Sequence, residues 1–397
     1  MRSRQADVRI GTIAFGGEGV GRIGEKVVFV PFTAAGDTVR VEITEERKRY
    51  LRGVPLDVLE PGPERRNPPC PLFGRCGGCD YQHLSPGEQL SVKERQVREV
   101  FQRIGKIPDP PVLPIVPSPD VFHYRGKGEY HLRRGKGGVP AFGFMDVRGG
   151  TVVPVSRCLL MDDSINGAAN RFFADVLADR AAVPDGRYVF WSGGESAGPG
   201  LPGEGLPFPA VTRQVKGVSF LVPREGFFQA NLFLAGTLVD EVLAAGEWNP
   251  GDSVLDGYCG SGLFSLFLAS RVARVTGVDS DGPAVLAARA NALARGLDGV
   301  VFLEGTVEET VRDLHGRGTR FDAVLLDPPR AGCGRSLLET LADAPLREIV
   351  YVSCNPATQA RDVLLLVEKG FRLSSLRPLD MFPQTKHVEV IARLARS

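Results

Sequence analysis

Between residues 7 and 60, apolar and polar positions alternate with the two-residue period of half-buried strands. The runs are "VRIGTIA", "EKVVFVPF", "DTVRVEIT" and "VPLDVLEP", broken by turns such as "FGGEGVGRIG". No helical period occurs there, so the segment predicts a small closed β-barrel of the OB-like kind. The period then changes: in "SPGEQLSVKERQVREVFQRIGKI", Val97, Val100, Phe101 and Ile104 share one helical face, and Ser85, Pro86 and Glu88 form a helix-start signal. The proline run 108–120 reads as a stiff linker. Residues 121–226 mix strand-like runs with one helix around 164–180, and 192–209 has the composition of a mobile loop. From about 228, strand, glycine-bearing turn and helix alternate. "DSVLDGYC", "RVTGVDS", "GVVFLEG", "FDAVLLD", "EIVYVSC", "FRLSSLRPL" and "HVEVIARLA" read as strands, with six of the segments between them readable as helices. This alternation predicts an α/β fold with a doubly wound, largely parallel sheet. The short "DMFPQTK" cannot hold a crossover helix, so the last two strands should pair antiparallel.

A chain of 397 residues with 43% apolar content can fill more than one core, and the pattern divides it at 1–62, 63–226 and 227–397. There is no signal-peptide core and no apolar run of membrane-spanning length, which points to a cytoplasmic protein without a membrane partner. The net charge of +1 advertises no global basic field, although 45–53, 92–103 and 124–138 gather Lys and Arg in the first third. Seven unevenly spaced cysteines do not make a disulfide framework; in a reducing compartment such cysteines bind metal or do chemistry.

The first strand of the alternating region ends in "LDGYCGSGLFSL", where Gly260 and Gly262 permit a tight turn beside a ligand. Asp279 closes the next strand, where a carboxylate can accept hydrogen bonds from ribose hydroxyls. The third glycine of a dinucleotide fingerprint is absent, the closing hairpin is antiparallel, and "DPPR" ends the fourth strand. Together these favour S-adenosylmethionine, which has no pyrophosphate to cradle, over NAD. Asp327, before the stiff Pro328–Pro329, stands at the mouth of the same cleft.

Cys354 follows an apolar strand and precedes Asn-Pro and a helix, the place in a parallel sheet where ligands and catalytic groups collect. A buried small hydrophobe is the plain alternative. If the methyl acceptor is C5 of a pyrimidine, a thiolate added at C6 makes that carbon nucleophilic, and a base then removes the C5 proton. Glu389, in the neighbouring hairpin strand, offers the base. His387 is better suited to orienting or stacking.

"FFQAN" (227–231), "DGYCGSGLFSL" (256–266), "GVDS" (277–280), "DPPRAG" (327–332), "YVSCNPATQARD" (351–362) and "DMFPQTKHVEV" (380–390) resemble, in order, the uracil-5 RNA methyltransferases. The resemblance implies a class I methyltransferase domain with Cys354 as nucleophile and Glu389 as base. Gln229, Tyr258, Asp279 and Asp327 would line the cofactor and base site. The family usually has Glu where this chain has Asp279, a shorter side chain of the same charge, and Leu263 replaces a polar residue of some members.

"CPLFGRCGGCD" supplies Cys70, Cys76 and Cys79, with Cys158 arriving later, a spacing closer to iron–sulfur than to zinc sites. The resemblance implies a [4Fe–4S] cluster at these four positions, a TRAM-type RNA-binding barrel at the amino terminus and a central α+β region helping to present RNA. It also implies a monomer acting on one uridine, in a loop or flipped out, of 23S ribosomal RNA. A tRNA target, a cytosine-C5 enzyme and a non-catalytic ribosome assembly factor are the alternatives. Cys259 is expected beside the cofactor turn, and Cys333 receives no role.

Overall fold

The computed structural model describes residues 4–135, 137–178, 183–193 and 207–396. Strands β1 (Gln5–Ile13), β2 (Gly19–Ile23), β3 (Lys26–Val30), β4 (Thr38–Glu46) and β5 (Tyr50–Glu60) close a barrel in the order β1-β2-β3-β5-β4. Alternate residues Val8, Ile10, Val28, Val30, Val39 and Val41 fill it, as a two-residue period requires. Helix α1 (Pro86–Arg103) starts where its signal stands, with Ser85 Oγ accepting from the Glu88 amide at 3.2 Å. Its apolar face, Val97, Val100 and Phe101, is buried in the core of the carboxyl-terminal sheet.

Strands β6 (Lys127–Arg134), β7 (Pro140–Met145) and β8 (Val152–Pro154), helix α2 (Asp163–Leu177) and strand β9 (Gly186–Trp191) follow, with sheet order β8-β7-β6-β9. Tyr130, Phe142 and Phe190 pack this sheet against α2 through Phe172. The loop read at 192–209 lies for its larger part outside the described residues. The hairpin β10 (Ala210–Val215) and β11 (Val218–Pro223) precedes helix α3 (Ala235–Ala245). Although the sequence groups this hairpin with the central region, Val211, Phe220 and Val222 pack with Leu238 and Val239 of α3 in the carboxyl-terminal core.

The remaining chain alternates β12 (Ser253–Gly257), α4 (Leu263–Leu268), β13 (Arg274–Asp279), α5 (Gly282–Leu293), β14 (Val300–Glu304), α6 (Val307–Gly316), β15 (Ala323–Leu326), α7 (Arg335–Asp343), β16 (Glu348–Ser353), α8 (Pro356–Glu368), β17 (Phe371–Leu379) and β18 (Glu389–Arg396). The seven strands order as β14-β13-β12-β15-β16-β18-β17, with β18 alone running against its neighbours. Five helices, α4 to α8, cross between these strands, one fewer than expected, because the sixth connection, between β17 and β18, is too short for a helix; α3 precedes β12. The order reverses between β12 and β15, so the crevice beyond the carboxyl ends of those strands is where a ligand fits. The proline run is no element, yet it lies along β17: the amides of Leu113 and Val116 donate to the Leu376 and Pro378 carbonyls at 2.8 and 2.9 Å. Among the described residues, no helix is long and apolar enough to cross a membrane.

Candidate active site

At the carboxyl end of β12 the chain turns with Tyr258, Gly260 and Gly262 all at positive φ (66°, 52° and 84°). A larger residue at Gly262 would be strained by its positive φ and crowded, because a Cβ there would lie 3.0 Å from the Leu266 and Phe302 side chains. The Asp279 carboxylate braces the turn: one oxygen accepts from the Gly260 amide at 2.8 Å and the other from Asp281 at 2.9 Å. Each oxygen keeps a lone pair for an outside donor, the use expected of it at a ribose. Tyr258 donates to Glu308 at 2.8 Å. Gln229 is buried beside Phe228, which packs into the same cluster as Cys259, Leu263 and Phe264, so the 227–231 segment lies over the turn, with Phe227 69% exposed. The burial of Cys259 there matches its expected place.

Asp256 was missed from sequence. It sits in β12 with one carboxylate oxygen accepting from Ser265 at 2.5 Å and the other buried without a partner. Burial first, then the charge of Asp279, pushes Asp256 up to about 7. Asp327, at the end of β15, is also pushed up to about 7, by burial and then by Asp256 and Asp279. Three carboxyls thus gather at the ends of neighbouring strands, Asp256 fully buried and Asp279 and Asp327 half-buried, an arrangement that suits a cationic ligand such as a sulfonium. A lone carboxylate in the apolar run "SVLDG" was the available signal.

Cys354 stands one residue beyond β16, ahead of Asn355, whose side chain caps α8 by accepting from Ala357 at 3.2 Å. In the β16–β18 ladder Ser353 faces Val390, and one further step of that register sets Cys354 beside Glu389. Burial, and after it the Glu389 charge, pushes the Cys354 thiol up to about 11; Arg330 opposes both. Glu389, only 4% exposed, is raised well above the usual carboxylate range by burial and then by Asp327, again with Arg330 opposing. Arg330, also unassigned from sequence, is therefore the cation common to Cys354 and Glu389. Its carbonyl is held by Asn355 and Thr358 at 3.0 and 3.1 Å, and its guanidinium lies 3.3 Å from His387. His387 is pushed down to about 3 by burial and by the cations Arg330, Lys386, Lys93 and Arg125, so its ring is neutral and can orient the guanidinium.

The loop 380–388, which delivers Glu389, is fixed by distant residues. Lys93 of α1, fully buried, pairs with Asp380 at 2.5 Å and donates to the Phe382 carbonyl at 3.0 Å. Gln89 exchanges two hydrogen bonds with Gln384, at 3.0 and 2.9 Å, and Gln384 is held at φ 67°. The amides of Asp80 and Tyr81 donate to the Gln384 carbonyl at 3.0 and 2.9 Å, and Tyr124 Oη to that of Pro383 at 2.9 Å.

Cys70, Cys76, Cys79 and Cys158 line one cavity of about 70 Å³, shared with Gln82 and Arg125, apart from the sheet crevice. Gln82 spans two of them, donating to Cys79 Sγ at 3.1 Å and accepting from the Cys70 amide at 3.2 Å. Backbone amides of Gly78 and of Leu160 and Met161 point at the sulfurs of Cys76 and Cys158. Burial pushes Cys79 up to about 12. Arg125, whose Nε is buried without a partner, puts a cation on the cavity wall. Among the described residues, no three His, Cys, Asp or Glu side chains are gathered to hold a single metal ion. Cys333 packs beneath the cofactor turn, its amide donating to Asp362 at 2.9 Å while Tyr351 donates to the same carboxylate at 2.7 Å.

The chain is similar to known proteins along its whole length. The model of the tRNA (uracil-5-)-methyltransferase family matches residues 212–397, and that of the TRAM domain matches 1–56. The chain is 32% identical to an uncharacterized RNA methyltransferase of Gloeobacter violaceus, over 100% of this chain and 98% of the other. It is 30% identical to an uncharacterized RNA methyltransferase of Halalkalibacterium halodurans, over 98% and 96%. Among solved structures it is similar to the Pyrococcus abyssi tRNA (uracil-54, C5)-methyltransferase in complex with S-adenosyl-L-homocysteine, with TM-score 0.75, 26% identity and 98% and 100% of the two chains covered.

Proposed function

Since the chain belongs to the tRNA (uracil-5-)-methyltransferase family and is an S-adenosylmethionine-dependent RNA uracil-C5 methyltransferase, we propose that it methylates a uridine of 23S ribosomal RNA through a covalent bond between Cys354 Sγ and C6 of the base. The observation that carries the chemistry is the register placing Cys354 next to Glu389, with Arg330 acting on both. The bound cofactor supplies a methyl group on a cationic sulfur, and Asp279, Asp327, Tyr258, Gln229 and the turn at Gly260 would hold it.

The roles of the residues follow from their surroundings. Two negative charges disfavour each other in this dry site, so Cys354 ionises at least cost while Glu389 keeps its proton. Attack of the thiolate at C6 pushes the ring electrons toward the C4 oxygen and leaves C5 nucleophilic toward the methyl group. With the sulfur's charge spent in a C–S bond, Glu389 can give its proton to solvent. Once C5 carried both the methyl group and its hydrogen, the Glu389 carboxylate would accept the C5 proton, the C5–C6 double bond would re-form, and the C–S bond would break to return the thiolate.

The pairing of a TRAM barrel with four cysteines supports the 23S assignment, on the resemblance drawn from the sequence. The tRNA reading is favoured by the Pyrococcus abyssi enzyme, which acts on tRNA. Mapping methyl-uridines in ribosomal and transfer RNA from a deletion strain decides between them. Incubation with methyl-labelled cofactor and a 5-fluorouridine transcript should trap a covalent adduct that is absent in Cys354→Ala; an adduct surviving that substitution overturns the mechanism.

We also propose that Cys70, Cys76, Cys79 and Cys158 hold a [4Fe–4S] cluster. One cavity, N–H donors at three sulfurs and the Arg125 cation suit a polynuclear anion, and thiolates that each bind a different iron need not converge on one point. The cluster would serve folding. Anaerobic purification should return stoichiometric iron and sulfide; zinc without iron defeats it. A cytoplasmic monomer fits this reading, and light scattering checks the monomer.

A further inference from the structure

The turn joining β1 to β2 carries the barrel to the catalytic loop. It is closed on itself by the Ala14 amide donating to Glu18 (2.9 Å) and Gly17 to Ala14 (3.0 Å). Gln96 of α1 holds its base, donating to the Ile13 and Ala14 carbonyls at 3.3 and 2.8 Å and to Tyr81 Oη at 3.2 Å. Its far side touches Lys386: a Cβ placed on Gly17 would lie 3.3 Å from Lys386 Cβ and 3.4 Å from the Tyr81 ring. Lys386 precedes His387, which contacts Arg330 at the mouth of the Cys354 site.

On this docked turn stands Phe15, 37% exposed, with Gly16 and Gly17 after it at φ 105° and 92°. Tyr81 beside the turn is core, whereas Phe15 stays partly exposed on a backbone that Gln96 and the turn's own amides keep in place. Two residues of chain span at most about 7 Å, so the ring is within roughly one nucleotide's reach of Lys386. The turn's single carboxylate, Glu18, is neutralised by Arg52 at 2.5 Å, and Arg52 in turn lies over Phe29 and Tyr50. A partly exposed aromatic side chain on a held backbone, with its neighbouring negative charge cancelled, is what a nucleobase stacks on.

We propose that Phe15 is a stacking platform for an unpaired base adjoining the target uridine, so that the barrel takes part in choosing the site as well as in holding the RNA backbone. The assignment rests on the chain acting on RNA. Once the uridine has left its helix for the Cys354 pocket, its neighbour loses a stacking partner, and Phe15 replaces it.

Phe15→Ala and Phe15→Trp test this on the full chain, with unmodified 23S ribosomal RNA and tRNA transcripts as separate arms. Phe15→Ala should raise KM roughly ten- to hundredfold, the range for loss of one base–aromatic stack, with the loss carried by KM rather than kcat. Phe15→Trp should restore binding, and its emission should be quenched on adding the transcript that binds, beyond any change in wild type from Trp191 and Trp248. Thermal melting of both variants checks folding. Phe15→Ala binding RNA as wild type does, or Phe15→Trp emission unmoved by bound RNA, overturns the proposal. Failure of the function itself shows separately, as wild-type protein that transfers no methyl group to either transcript; quenching and binding still decide Phe15.

Discussion

At the residue scale, the charges around Cys354 set how the proposed reaction should respond to pH. With the thiol pushed up to about 11, its ionised fraction, and with it adduct formation, rises through pH 6 to 9. Arg330→Ala removes the cation that opposes this shift, so the rising limb moves to higher pH and the adduct rate at pH 7 falls roughly tenfold, less than a fully buried charge-assisted bond would cost because Arg330 is exposed to solvent. Quench-flow trapping with 5-fluorouridine RNA over that pH range measures it. Asp256 has its folded value above its unfolded one, so the folded state holds the extra proton between about 4 and about 7, and stability is lost as pH rises across that window. Asp256→Asn removes this loss: wild type minus variant should slope by up to about 1.4 kcal/mol per pH unit in urea titrations of the cofactor-free protein. The nearness of Cys354 and Glu389 was legible because one follows an apolar strand and the other opens the strand paired with it. Arg330 was not, since its importance lies in His387, Asn355 and Thr358, which reach it from other parts of the chain.

At the scale of elements, α1 is the clearest case of a correct sequence signal with an unforeseen purpose. The start box and apolar face marked its extent, but Gln89, Lys93 and Gln96 on its buried side look like solvent residues in a sequence and instead clamp the catalytic loop and the barrel turn. Burial lowers the Lys93 pKa against the pull of Asp380. Lys93→Ala strands Asp380 as an unpaired buried charge and should cost roughly 3–5 kcal/mol in chemical denaturation. The cysteine segment acts on the same loop through the Asp80 and Tyr81 amides. Loosening that segment with Cys79→Ala should speed amide exchange at Gln384 and its neighbours, a readout independent of turnover.

For the whole molecule, the alternation of strands and helices made the sheet and its antiparallel closure readable, and the two-residue period made the barrel readable. The packing of the 210–223 hairpin on the carboxyl-terminal core was hidden, because an amphipathic hairpin does not declare which core it covers; Asn291 settles it by bonding both sides of Leu221 at 2.7 and 2.9 Å. RNA affinity should follow the barrel's charge. Lys48→Glu with Arg49→Glu should weaken transcript binding and reduce the magnitude of the logarithmic salt slope by about 0.9 for each phosphate left without its cation, measured by filter binding.

The stretch from Asp380 to Val388 is gripped by α1, by the residues after Cys79 and by Tyr124, while its two ends belong to the sheet. Glu389, the proposed proton acceptor, is thus aimed by parts of the polypeptide that have no part in the proposed chemistry. Recombining this gene with a homologue's at a junction between those parts should produce chimaeras that fold and bind cofactor but turn over slowly, because each half would carry one side of a fit shaped for a different partner.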